Sequence, residues 1–116
     1  MRIDILTLFP EMCCEVLRES VIGRARERGC VDINCRNIRD YTLDKHNRVD
    51  DSPYGGGTGM IMQVQPIYDC YESLCRDTGT RPHLIYLTPQ GKTLTQKRVV
   101  ELSKLDNIAL LCGHYE

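Results

Sequence analysis

The sequence predicts an α/β fold, a parallel sheet flanked by helices, and three observations lead to it. Short, nearly continuous apolar runs at residues 3–8, 84–87 and 108–112 have the length of strands buried on both faces. Stretches with apolar residues at helical spacing lie between them, and the amino-terminal third runs strand, helix, strand. The chain has 116 residues, room for one domain that buries roughly two-thirds of its unfolded surface.

Each element has a local reason. Ile3, Ile5, Leu6 and Leu8 form the first strand, which ends at Pro10. Pro10 suits a first helical position, Glu11 the first turn, and Met12, Cys13, Val16 and Leu17 one apolar face. Ser20 is the expected cap of a second helix running through Arg28, with Gly29 as its stop. Val31, Ile33 and Cys35 alternate with polar neighbours, as in a strand with one wetter face. Residues 37–59 then lose all periodicity, and irregular stretches of that length in compact domains are usually functional or disordered. Pro66 opens the clearest helix, with Ile67, Cys70, Tyr71, Leu74 and Cys75 on one face and Gly79 beyond its end. Thr93 and Gln96 read as a capping box for a last helix through Leu105, placed between the second and third apolar runs.

Composition narrows the function classes. With 41% hydrophobic and 27% charged residues the chain matches ordinary globular domains. No apolar run approaches the roughly 20 residues that span a bilayer. Met1 leads directly into Arg2, Ile3 and Asp4 instead of a signal sequence, so the expected address is the cytoplasm, with no membrane partner. The seven cysteines are odd in number and form no C-x-x-C pair, which argues against a disulfide framework and a tetrahedral zinc site. They are expected to be mostly buried apolar fillers. A net charge of −1 removes nucleic-acid binding by bulk electrostatics, so any such partner must meet a local patch.

Three segments carry candidate chemistry. In open parallel sheets ligands bind beyond the carboxyl ends of the strands. Two strands end there in glycine-bearing loops, Tyr86-Leu87-Thr88-Pro89-Gln90-Gly91 and Cys112-Gly113-His114-Tyr115-Glu116. These loops permit close approach of a ligand, or are simply tight turns. The second segment, Pro53-Tyr54-Gly55-Gly56-Gly57-Thr58-Gly59-Met60, invites comparison with phosphate loops. It fails both, because no Lys and hydroxyl follow its last Gly and no third Gly completes a dinucleotide fingerprint. It remains either a flexible turn or a backbone surface for a base or phosphate. The third segment, between Arg36 and Asp51, holds four basic and four acidic residues plus His46. Such a surface is merely solvated, or grips phosphates with its cations while offering carboxylates to base edges. Arg24 and Arg28 share a face of the second helix. His46 is a possible base with no visible partner, and no Ser-His-Asp or metal arrangement can be placed.

Taken in order, Leu6-Thr7-Leu8-Phe9-Pro10-Glu11-Met12, Gly23-Arg24-Ala25, Ile38-Arg39-Asp40-Tyr41-Thr42-x-Asp44-Lys45-His46, Val49-Asp50-Asp51-x-Pro53-Tyr54-Gly55-Gly56-Gly57-x-Gly59-Met60, Thr88-Pro89-Gln90-Gly91 and Cys112-Gly113-His114-Tyr115-Glu116 closely resemble the bacterial tRNA (guanine-N1)-methyltransferases. The resemblance implies a SPOUT-class trefoil-knot domain that works as a homodimer. It implies methyl transfer from S-adenosylmethionine to N1 of the guanosine immediately 3′ of the tRNA anticodon, which maintains the reading frame. Carried over by position, Tyr86, Leu87, Pro89, Gly113, Tyr115 and Glu116 would belong to the donor pocket. Arg24, His46, Asp50, Tyr54, Gly55 and Gly59 would serve tRNA and its guanine. In that family the general-base Asp and an assisting Arg follow the loop at Glu116. Residues 1–116 would then be the N-terminal part of the methyltransferase domain, without the helical tRNA-binding domain, with the knot incomplete and no activity by themselves. The alternative is a noncatalytic RNA- or nucleotide-binding α/β module.

Overall fold

The computed structural model describes residues 1–115. Four parallel strands form the main sheet in the order β2-β1-β6-β5: β1 is Arg2–Thr7, β2 Asp32–Asn37, β5 His83–Leu87 and β6 Asn107–Cys112. Helices α1 (Pro10–Val16) and α2 (Ser20–Glu27) join β1 to β2, α3 (Val64–Thr78) precedes β5, and α4 (Gln96–Ser103) links β5 to β6. Two short strands, β3 (Asp50–Asp51) and β4 (Ile61–Met62), pair antiparallel beside the sheet. The predicted parallel α/β class is observed.

The core lies where α3 covers one face of the sheet. Leu6 and Leu8 from β1 and its exit, Ala109 and Leu111 from β6, and Cys70 and Leu74 from α3 pack there with Ile38 and Val49. Tyr71, midway along α3, ties the helix to the entry of β5 by donating its hydroxyl proton to the Pro82 carbonyl at 2.7 Å. Gly79 closes α3 in the left-handed region, φ +70°, and its N–H reaches the Cys75 carbonyl. On central β1, Asp4 is fully buried and accepts two hydrogen bonds from the Arg2 guanidinium, at 2.9 and 3.1 Å.

Several local expectations need correction. The second helix is capped at Glu19, and Ser20 is its first residue with φ +56°, because the chain turns sharply out of α1. The third helix begins two residues before Pro66; its first amide groups have no partner within the helix, so a proline at the third position costs no bond. Thr95, not Thr93, caps α4, its hydroxyl accepting from the Arg98 N–H at 3.2 Å, and the helix stops at Ser103. The run at 84–87 is not buried on both faces. It belongs to β5 at the sheet edge, so Leu84, Tyr86 and Leu87 are 41%, 53% and 52% exposed.

The stretch at 37–59 is less irregular than its sequence. Asn37 caps a 3-10 turn over Ile38–Tyr41 by accepting from the Arg39 N–H, and fully buried Ile38 and Val49 pin its two halves into the core. Arg36 donates to Tyr41 Oη, Ser73 Oγ and the Asp77 carboxylate, binding the turn to α3.

The cysteines also depart from expectation. All are free thiols; Cys70 is buried, Cys30 is exposed, and the other five are half-buried. Burial pushes the Cys70 thiol up to about 12, and burial together with the neighbouring Cys14 does the same for Cys35. Maleimide labelling at pH 8 followed by peptide mass mapping should therefore modify Cys30 first. Cys35 and Cys70 should stay unmodified until the fold opens, because the thiolate is the reacting species.

Candidate functional site at the carboxyl ends of the strands

β5 and β6 run parallel and adjacent, so the loops at their carboxyl ends emerge side by side. Between them lies an open cavity of about 480 Å³ lined by Tyr86, Thr88, Pro89, Gln90, His114 and Tyr115. That volume falls within the range of small-molecule sites. Thr88 shapes the first loop, its carbonyl accepting from the Gly91 N–H and its hydroxyl from the Gln90 N–H. Gly113 lies directly against Tyr86: a Cβ there would sit 3.3 Å from the ring, so the missing side chain makes room for the phenol. Tyr115 reaches inward to pack against the core. Its ring meets His114 edge-on at 4.9 Å, and His114 meets Phe9, just beyond β1, at 5.0 Å.

Of the predicted donor-pocket residues, the cavity brings together Tyr86, Pro89 and Tyr115, with Gly113 against Tyr86. Leu87 ends β5 but is not among the lining residues. The predicted contact of Glu116 lies outside the described residues. Thr88, Gln90 and His114 line the cavity as well, and the sequence signal for them was their membership of the same two glycine-bearing loops. A larger hollow of about 610 Å³ lies between β5 and α4, bounded by Ile85, Leu94, Leu102 and the flexible side chains of Lys92, Lys97 and Arg98. It is walled in part by residues 92–95, the continuation of the chain after β5, and shares no lining residue with the cavity between the two loops.

The predicted RNA-facing residues lie on other elements. His46 is exposed on a turn organised by Asp44, whose carboxylate accepts from the backbone N–H groups of His46 at 2.8 Å and Arg48 at 3.2 Å. Arg39 donates to the Asn47 carbonyl and Thr42 to the Arg48 carbonyl, closing the turn from the other side. Asp50 lies in β3, where its carbonyl accepts from the Gln63 amide. Tyr54 is 95% exposed, and Gly55 and Gly59, at φ +78° and +89°, hold backbone shapes that side-chain-bearing residues rarely take. Arg24 is exposed on α2. None of these six lines the 480 Å³ cavity.

The Asp44 carboxyl lies below its ordinary range because the Arg48 and His46 amides bind its charged form. A depressed folded value means that the ordering is complete above the ordinary carboxylate range and is lost as pH falls through the lowered value. In an acid titration followed by NMR, the His46 and Arg48 amide signals should move together with the Asp44 carboxyl. In Asp44→Ala both amides should exchange rapidly even at neutral pH, with the core amides of β1 and β6 unchanged.

Fold and cavity together define an open parallel-sheet α/β protein with its crevice beyond the carboxyl ends of the strands. A family model described as tRNA (Guanine-1)-methyltransferase TrmD matches residues 1–116, and the chain belongs to that family. It is 52% identical over all 116 residues to a tRNA (guanine-N(1)-)-methyltransferase of Ruminiclostridium cellulolyticum, covering 50% of that protein. It is 47% identical to one of Halalkalibacterium halodurans, again over its whole length and covering 47% of the relative. The crystal structure of tRNA (m1G37) methyltransferase from Aquifex aeolicus superimposes with a TM-score of 0.92 at 34% identity, over 100% of this chain and 52% of the other. The chain thus spans about half the length of these relatives. Among the described residues, no helix is long and apolar enough to cross a membrane.

Proposed function

We propose that residues 1–116 form the donor-binding, guanosine-facing part of a tRNA methyltransferase, the N-terminal part of its methyltransferase domain. On this reading the enzyme methylates N1 of the guanosine immediately 3′ of the anticodon and so maintains the reading frame. It acts in the cytoplasm as a homodimer built on a trefoil-knotted domain. The observation that carries the reading is the cavity between the loops after β5 and β6, in a chain of this family.

The residues fit S-adenosylmethionine. Gly113 leaves room beside the Tyr86 ring, Pro89 and Tyr115 supply apolar walls, and Gln90 and Thr88 offer polar groups. When bound, the donor supplies an electrophilic methyl group on a sulfonium. The loops of this chain orient it and shield it from water. The turn at 44–48 and the glycine loop at 55–59, with Arg24 and Tyr54, hold the RNA, while His46 and Asp50 face the guanine.

Guanine N1 carries a proton at neutral pH, so transfer needs a base near N1 and a hydrogen-bond donor for the charge that develops on O6. The chain spans about half the length of its relatives. The 116 residues by themselves are therefore expected to bind donor without transferring methyl groups. That same observation favours a second reading, a noncatalytic RNA- or nucleotide-binding module.

Calorimetry with S-adenosylmethionine and with undermodified tRNA separates the two. A chimera in which residues 1–116 replace the matching half of the Ruminiclostridium relative supplies the activity measurement. Donor binding and N1-methylguanosine formation by the chimera support the enzyme. Tight tRNA binding with no donor binding in either protein would support the module.

A further inference from the structure

We infer that His114 is an oxyanion-binding residue of the cavity beyond β5 and β6, an inference that rests on the function proposed above. Of the six lining residues, His114 is the one whose side chain can carry positive charge. Its ring is oriented on two sides by edge-to-face contacts, with Phe9 at 5.0 Å and 73° and with Tyr115 at 4.9 Å and 75°. Phe9 is itself positioned by its N–H donating to Thr7 Oγ1 at 3.1 Å, where β1 ends. The ring is therefore held in place between two aromatic neighbours.

Those nitrogens make no hydrogen bond or ion pair with any described residue, whereas His83, on the same sheet, shares its Nε2 with Arg98. No cluster of His, Cys, Asp or Glu among the described residues gathers enough ligands for a metal ion, so metal ligation does not explain the ring's placement. An exposed imidazole held between two aromatic rings, in a cavity otherwise offering hydroxyls and one amide, suits a carboxylate or phosphate oxygen. Charge-assisted bonds to such oxygens are the stronger kind. Two sources supply that chemistry in the proposed reaction, the carboxylate on the amino-acid tail of the methyl donor and a phosphate of the tRNA.

His114→Phe tests this cleanly, because it keeps a ring between Phe9 and Tyr115 and removes both nitrogens. Binding is measured by calorimetry in the chimera, using S-adenosylhomocysteine, its decarboxylated analogue, and tRNA over a range of salt concentrations. If the donor carboxylate is the ligand, the variant should bind S-adenosylhomocysteine about tenfold more weakly, the scale of one charge-assisted bond, and the decarboxylated analogue as before. If an RNA phosphate is the ligand, tRNA affinity should drop and its salt slope should fall by about one, with both small molecules unaffected. Equal weakening of S-adenosylhomocysteine and its decarboxylated analogue would overturn the inference in favour of plain ring packing, and so would no change in any of the three. Should the Phe variant fail to fold, His114→Gln keeps a neutral donor and is expected to show a smaller loss in the same selective direction. Wild-type chimera that binds neither donor nor tRNA would remove the proposed function and this inference with it. Normal binding by wild type with an indifferent variant removes the inference alone.

Discussion

Gly23→Ala is expected to lower the stability of the chain by about 2–3 kcal/mol, at the upper end of what overpacking costs. Gly23 is the one buried residue of α2, and a Cβ built on it would lie 2.1 Å from the Arg18 carbonyl oxygen and 2.8 Å from its carbon. Both are backbone atoms of the tight link between α1 and α2, so no side chain can swing aside. Either the link opens or α2 shifts, and the bond from the Gly23 N–H to the Glu19 carbonyl, 3.0 Å long, goes with it. Alanine's better helix propensity returns only about 1 kcal/mol. Gly29→Ala is the control: its φ of +71° is strained for alanine, but nothing lies within 4 Å, so its smaller loss reports backbone strain alone. Urea unfolding followed by circular dichroism measures both, and a midpoint for Gly23→Ala equal to wild type would show that the α1–α2 link yields freely.

Arg2→Met should be at least as damaging, about 3 kcal/mol at neutral pH, because breaking a buried ion pair leaves the other charge uncompensated. Asp4 is wholly buried on central β1, and among the described residues its side-chain hydrogen bonds come from Arg2 Nε and Nη2. Arg2 keeps a third of its side chain in water, which holds the expected loss to the lower end of the range. Arg2→Met combined with Asp4→Leu should recover most of the loss, since two apolar side chains replace a pair whose desolvation is costly. A double variant no more stable than Arg2→Met would show that Asp4 has a role beyond its partner.

The helical and strand periods of this chain are plain in its sequence wherever one element makes its own case. α3 shows this best: the apolar positions 67, 70, 71, 74 and 75 and the terminal Gly79 were readable because a helix face and a left-handed cap are local properties. The cap of α4 was misplaced by two residues because Thr93 and Thr95 are chemically equal candidates, and only the path of the chain out of β5 chooses between them. The 37–59 segment looked structureless because its anchors, Ile38 and Val49, stand eleven positions apart with no period between them. They are buried by α3 and β6, elements far along the chain.

Ligand chemistry followed the same division. That the loops after the second and third apolar runs converge was legible, because parallel strands separated by a helix place their carboxyl ends together. The exposure of β5 was not legible, since an apolar run has the same sequence in the middle of a sheet as at its edge, and strand order alone decides.

By itself, then, the sequence determined the α/β class, most elements, the two glycine-bearing loops and the family resemblance, all properties carried by neighbouring residues or short motifs. The tertiary structure alone decided that β5 is an edge, that Gly113 makes room for Tyr86, that Phe9 meets His114, and that the Asp44 turn lies apart from the cavity. Those are contacts between segments up to about a hundred residues apart, set by packing and strand order, which no local pattern encodes.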